Sequence, residues 1–249
     1  MILSLLFLVS TATSTPTAYN VNKYFLNAHE ALWPSVETFL NLTEFESFST
    51  IFTGHSLGGA LASIAAARTV KNGLRPSSLV SLYTFGQPRT GCHGYATAFD
   101  ALGIESYRLV FASDIVPHEP ECEPDLLVED NGLGNKPCLE SSTNWAYHHG
   151  KEIWYPDTMV PSSSYFRVCT GLPRNEDMNC SAALAMDSDL DLHVSQHRHY
   201  FDTFVTSFGE SGCVVREDPA GPTKSSLEAA IEGIVDKVGN AIERHLNQL

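Results

Sequence analysis

From Val21 to Leu40, apolar side chains recur at Phe25, Ala28, Leu32, Val36 and Leu40, the spacing of an amphipathic helix. Pro34 is expected to kink that helix or restart it at a first turn, because proline lacks the N–H the ladder needs. Phe48 to Thr53 reads as a short buried strand. Leu57, Leu61, Ile64, Ala65 and Val70 then share an alanine-rich helix, which Gly73 can terminate. Leu79 to Phe85 is a second apolar strand, closed by Gly86-Gln87-Pro88. Ser106 to Phe111 is a third, stopped by Ser113-Asp114 and Pro117. Strand, helix, strand, helix, strand predicts an α/β fold with a mostly parallel sheet and helices on its faces.

Beyond Pro117 the pattern is looser. Glu119 to Thr143, rich in Pro, Gly and acidic residues, reads as a loop, with Cys122 and Cys138 as candidates to tie it. Glu152 to Tyr155 and Ser164 to Val168 read as strands. Asp218 to Pro222 is a linker, and Leu227, Ile231, Ile234, Val238, Ile242 and Leu249 lie on one helical stripe. Its polar face is not basic, so it is expected to pack on protein rather than on a membrane. At the other end, the apolar run Ile2–Val9, followed by small residues from Ser10 to Ser14, has the form of a secretory signal and is too short to span a bilayer. A positive flank is missing, since the first basic residue is Lys23. The expected organisation is a signal peptide over 1–15, one α/β domain over 16–213, and a linker with an amphipathic helix over 214–249.

Composition narrows the function. A formal net charge of −14 repels phosphate backbones and anionic headgroups, which argues against nucleic acid as a partner. It leaves neutral lipids open, because apolar contacts hold them. The six cysteines (Cys92, Cys122, Cys138, Cys169, Cys180 and Cys213) are an even set without C-x-x-C spacing, and two sequons begin at Asn41 and Asn179. Both features point to an oxidising, extracellular destination. Cys169 and Cys180, near in sequence and flanking a polar loop, are expected to pair.

Gly54-His55-Ser56-Leu57-Gly58 is a G-x-S-x-G element. Such a pentapeptide arises by chance in roughly one chain in ten of this length. Its place between a predicted strand and a predicted helix therefore carries the information. A nucleophilic serine on a tight strand-to-helix turn adopts strained backbone angles and needs small neighbours. Ser56 is thus the candidate nucleophile. Serine needs a general base that a carboxylate orients, and in parallel-sheet hydrolases the acid precedes the histidine in the chain. Asp114 follows the third strand, where a loop at the sheet's C-terminal edge would turn it toward Ser56. The base is sought in the late polar cluster of His193, His197 and His199, among which spacing does not choose.

Several stretches together resemble the class 3 lipase family of the α/β-hydrolases. Thr53 to Ala62 (TGHSLGGALA) resembles its nucleophile motif, and Tyr83 to Gly91 (YTFGQPRTG) its next strand and loop. Asp114-Ile115-Val116-Pro117 resembles its acid motif, and His148 with Glu152 and Trp154 a supportive signature. His197-Arg198-His199-Tyr200-Phe201 is similar to its H-x-x-Y-F pattern, which selects His197 as the base. The resemblance, running from about Val21 to Phe201, implies acyl transfer without metal or organic cofactor. Ser56 would attack an ester carbonyl of an acylglycerol at a lipid–water surface, with the Leu57 N–H as one oxyanion donor.

The match also has a gap. The family's second oxyanion donor, lid and early strands lie upstream of its serine, whereas 55 residues precede Ser56 and no Phe-Arg-Gly occurs among them. The expected sheet therefore lacks some N-terminal strands. Three readings follow: a secreted acylglycerol esterase, a catalytically impaired lipid-binding or interaction protein, and a phospholipase or feruloyl-type esterase.

Overall fold

The computed structural model describes residues 20–160, 165–184 and 189–212. The apolar run before Val9, Cys213 and the C-terminal stripe lie outside the described residues. Within them the chain runs α1 (Lys23–Leu40), β1 (Thr50–His55), α2 (Leu57–Lys71), β2 (Val80–Phe85), β3 (Gly91–Cys92) and α3 (His93–Ala101). It continues through β4 (Glu105–Phe111), β5 (Ala146–Tyr147), β6 (Lys151–Tyr155), β7 (Arg167–Cys169), α4 (Leu190–His197), β8 (His199–Tyr200), β9 (Thr203–Phe204) and α5 (Val205–Glu210). The main sheet has the order β1-β2-β4-β6-β7. Its first four strands are parallel, and β7 closes it antiparallel to β6. Among the described residues β1 is an edge, paired only with β2.

Side-chain alternation splits the core into two layers. Tyr83, Tyr107, Leu109, Ile153 and Tyr155 point to one face, where Met159 and Tyr200 join them. Val80 and Leu82 point to the other, against Ala62, Ala66 and Ala67 of α2 and Tyr95 and Phe99 of α3. The alanines let α2 lie close on the sheet. Its end is a left-handed turn at Gly73 (φ 70°), where the Leu74 N–H returns to the Thr69 carbonyl.

Two expectations need correction. α1 runs through Pro34 as one helix, capped by Asn22, rather than restarting there. Trp33 and Leu40, buried against Ala65 of α2, hold it on both sides of the proline. The first strand begins at Thr50, not Phe48, because Phe48 packs edge-on against Phe45 before the ladder starts. Cys122 is bonded to Cys138, and Cys169 to Cys180. No helix among the described residues is long and apolar enough to cross a membrane.

Candidate active site

Parallel strands bring their C-terminal ends to one edge of a sheet, and the loops there can share a site. Ser56 follows β1, Gly86 follows β2 and Asp114 follows β4. Ser56 has φ 56° and ψ −128°, an uncommon conformation for a residue with a side chain. Its N–H donates to the Phe85 carbonyl at 2.9 Å, which fixes the turn to β2. A Cβ on Gly54 would stand 2.3 Å from the backbone of Gly58, so that glycine is obligatory. A Cβ on Gly58 would meet nothing within 4 Å. The expected crowding therefore applies to one glycine of the pair.

His197, the last residue of α4, reaches this turn from 141 positions away. Its Nε2 lies 2.9 Å from Ser56 Oγ, and its Nδ1 lies 3.0 Å from both Asp114 oxygens. With Nδ1–H donating to the carboxylate, Nε2 is left as an acceptor for the serine hydroxyl. Asp114 is fully buried. Besides His197 it accepts the Val116 N–H at 2.9 Å and the Tyr200 hydroxyl at 2.6 Å. Burial, followed by the Asp114 charge, holds the Tyr200 phenol well above its usual range, so it remains a donor.

The acid loop is fastened from several sides. Ala112 takes φ 44°, its N–H donates to the Tyr155 carbonyl, and its carbonyl accepts Trp154 Nε1–H at 2.9 Å. The Ser113 N–H and hydroxyl both donate to Gln196 Oε1, and Ser113 Oγ lies 2.7 Å from His193 Nδ1. Gln196 and His193 belong to α4, the helix that ends in His197. Gly86 sits below: a Cβ there would approach Asp114 Oδ2 to 2.6 Å and His197 Nδ1 to 3.0 Å. The Leu57 N–H, first in α2, has no partner in the helix ladder and is available to an oxyanion.

The other histidines are occupied elsewhere. His148 Nε2–H donates to the Pro117 carbonyl, His149 meets Ser63, and His199 Nδ1 meets the Ser195 carbonyl. His245 lies outside the described residues. Burial drives the His149 and His118 imidazoles down to about 3, with Arg108 adding at His149 and Arg89 at His118. Glu152 lies 3.5 Å from Arg108, both buried, while His148 and Trp154 hold the acid loop through the Pro117 and Ala112 carbonyls. Nearby, Arg89 binds Glu176 with two parallel hydrogen bonds, at 2.8 and 2.9 Å. Sequence reasoning did not single out Tyr200, Gly86 or His55, although Tyr200 stands inside the H-x-x-Y-F stretch. His55 stacks on His197 with ring centroids 4.5 Å apart and lies 2.7 Å, through Nε2, from the His197 carbonyl.

Two cavities, of about 370 and 510 Å³, are lined by neither Ser56 nor His197. The first opens at the strand starts, beside Glu105 and Lys151, and the second lies under the Cys122–Cys138 loop.

Residues 2–123 match the family model described as Lipase (class 3). A lipase of Caenorhabditis elegans is 40% identical over 227 residues, 90% of this chain and 62% of that protein. A phospholipase A1 of Oryza sativa is 31% identical over 152 residues, 59% of this chain and 37% of its own length. The Rhizomucor miehei lipase–propeptide complex superposes with a TM-score of 0.58 at 29% identity, covering 80% of this chain and 56% of that one. A triacylglycerol lipase whose catalytic centre is formed by a serine-protease triad gives 0.58 at 28% identity, with coverages of 79% and 64%. The chain thus spans less than two thirds of the length of each of these relatives.

Proposed function

The chain belongs to the class 3 lipase family of the α/β-hydrolases, and from that premise we propose that it is a secreted serine esterase cleaving acylglycerols. Ser56 is the nucleophile, His197 the base and then the acid, and Asp114 the carboxylate that orients His197. The observation that carries this reading is the unbroken chain from Ser56 Oγ through His197 to Asp114, with contacts of 2.9 and 3.0 Å. His197 takes the serine proton as Ser56 attacks the ester carbonyl, and the Leu57 N–H receives the developing oxyanion. The imidazolium then gives its proton to the leaving alcohol, and water, activated by the same histidine, releases the acid. Two disulfides in the described structure support an oxidising destination, with residues 1–15 as the leader.

The test is turnover of short- and long-chain nitrophenyl esters, with Ser56→Ala alongside. The variant is expected to lose at least about 10⁴-fold in kcat with an unchanged circular dichroism spectrum. Full residual turnover would remove Ser56 from the mechanism. A folded protein that neither turns over ester nor labels with a fluorophosphonate would be a lipid binder instead. The phospholipase A1 relative favours a second substrate class, the sn-1 ester of a phospholipid. Against it stands the net charge of −14, which repels anionic headgroups. Comparing mono-oleoyl glycerol with phosphatidylcholine separates the two.

A further inference from the structure

A patch of aromatic surface lies where α1 ends, away from the site above. Phe39 and Phe45 stack with centroids 4.9 Å apart, and Phe48 meets Phe45 edge-on at 5.5 Å. Phe39 is 56% and Phe48 58% exposed; Leu42 and Ile51, close by in sequence, are exposed too. This stretch leads directly into β1, whose outer edge has no ladder partner among the described residues. Apolar surface of this kind next to an open strand edge calls for a cover.

The same stretch carries the sequon Asn41-Leu42-Thr43, and all three residues are exposed. Asn41 is the C-cap of α1, two positions beyond Phe39 and four before Phe45. We propose that Asn41 carries an N-linked glycan whose first sugars lie over the Phe39–Phe45–Phe48 cluster. The proposal rests on the secretory reading, because the donor is a lipid-linked pyrophosphoryl oligosaccharide of the secretory path. The bond from Asn41 Nδ2 to sugar C1 forms as C1–O to pyrophosphate breaks. Pyrophosphate leaves with the electron pair, and Nδ2 gives up one proton. The second Nδ2 hydrogen stays, so donation to the Glu37 carbonyl, now at 2.9 Å, survives the modification. A pyranose presents a face of C–H groups, which packs on an aromatic ring as apolar surface does. The other sequon is constrained at its second and third positions: Cys180 is bonded to Cys169, and Ser181 is buried.

The experiment is expression of the full chain in a eukaryotic secretory host, followed by peptide mass mapping before and after peptide-N-glycosidase. One glycan is expected, on Asn41. It should vanish in Asn41→Gln and Thr43→Ala and persist in Thr43→Ser, a contrast that a purely structural role of Thr43 would not produce. Asn41→Gln should keep its esterase activity per molecule within twofold, since Asn41 precedes β1 and Ser56 follows it. The same variant should shift to larger species in light scattering. An unmodified Asn41 overturns the proposal. If that protein is in the medium, only the glycan is lost; if it is inside the cell, the secretory reading falls as well. A dimer of unmodified chains would assign the patch to a second copy. Esterase activity is measured separately, so failure of Ser56 chemistry does not touch the glycan result.

Discussion

Tyr200 donates its hydroxyl to Asp114 Oδ2 at 2.6 Å, on the carboxylate that also receives His197 Nδ1–H. The phenol therefore shares the negative charge that the imidazole uses. A buried carboxylate with three donors is held in place and only partly available to each of them.

Tyr200→Phe removes one donor without changing shape. Asp114 then concentrates its charge on His197 and stabilises the imidazolium, so the acid limb of the kcat/KM profile moves to higher pH. At the optimum, kcat is expected to fall about tenfold, the size of one hydrogen bond to a charged group. A pH–rate series on both proteins checks this; an unmoved acid limb would mean that Tyr200 only fills space.

The glycines around Ser56 should differ sharply in tolerance. Gly54→Ala drives a methyl into backbone at 2.3 Å and is expected to cost about 3 kcal/mol or more, lowering Tm by roughly 6–12 °C. Gly58→Ala enters open space on the first turn of α2 and should leave Tm unchanged or slightly higher. Gly86→Ala pushes on Asp114 and His197 and should reduce kcat at least about 10²-fold. Thermal melts and ester assays on the three variants decide between these outcomes.

The buried Arg89–Glu176 pair offers a double-mutant cycle. Arg89→Met strands the Glu176 carboxylate in the core and should destabilise by about 3–5 kcal/mol. Adding Glu176→Leu should recover most of that loss in urea unfolding. Additive losses would show that Arg89 acts mainly through the His118 and Pro120 carbonyls it also binds.

Acid should weaken the fold through histidine. His118 and His149 are held near 3 in the folded chain and return to about 6.5 when it unfolds. Between those values the unfolded chain binds more protons, so stability falls as pH drops below 6.5. Each group contributes up to about 1.4 kcal/mol per pH unit. Glu152, whose carboxyl burial raises, works in the opposite direction and offsets part of the loss. Urea midpoints at pH 7, 6, 5 and 4 should decline steadily, and less so in His149→Gln; a flat series would contradict the argument.

The strands of the main sheet, α2 and the positions of Ser56 and Asp114 were legible because each depends on neighbours within a dozen residues. Spacing alone left the histidine open, since His193, His197 and His199 share one polar stretch; the resemblance chose His197, and α4 brings that residue to the β1 turn. Tyr200 escaped notice for the same reason, since its partner lies 86 residues away. Gly58 was misjudged because a motif does not show which way a Cα–H bond points. The helix does not restart at Pro34 because burial of Trp33 and Leu40 outweighs one missing ladder bond.

The short helix α4 ends in His197 and, through Gln196, also grips Ser113 beside Asp114. Serine and carboxylate thus both hang from the sheet, after β1 and β4, while the base stands at the tip of a separate helix. A shift of that helix withdraws the base from Ser56 and Asp114 at once, while the sheet keeps those two in their mutual places. Turnover would then respond to such a shift as a latch does, engaged or released, with no half-assembled intermediate setting.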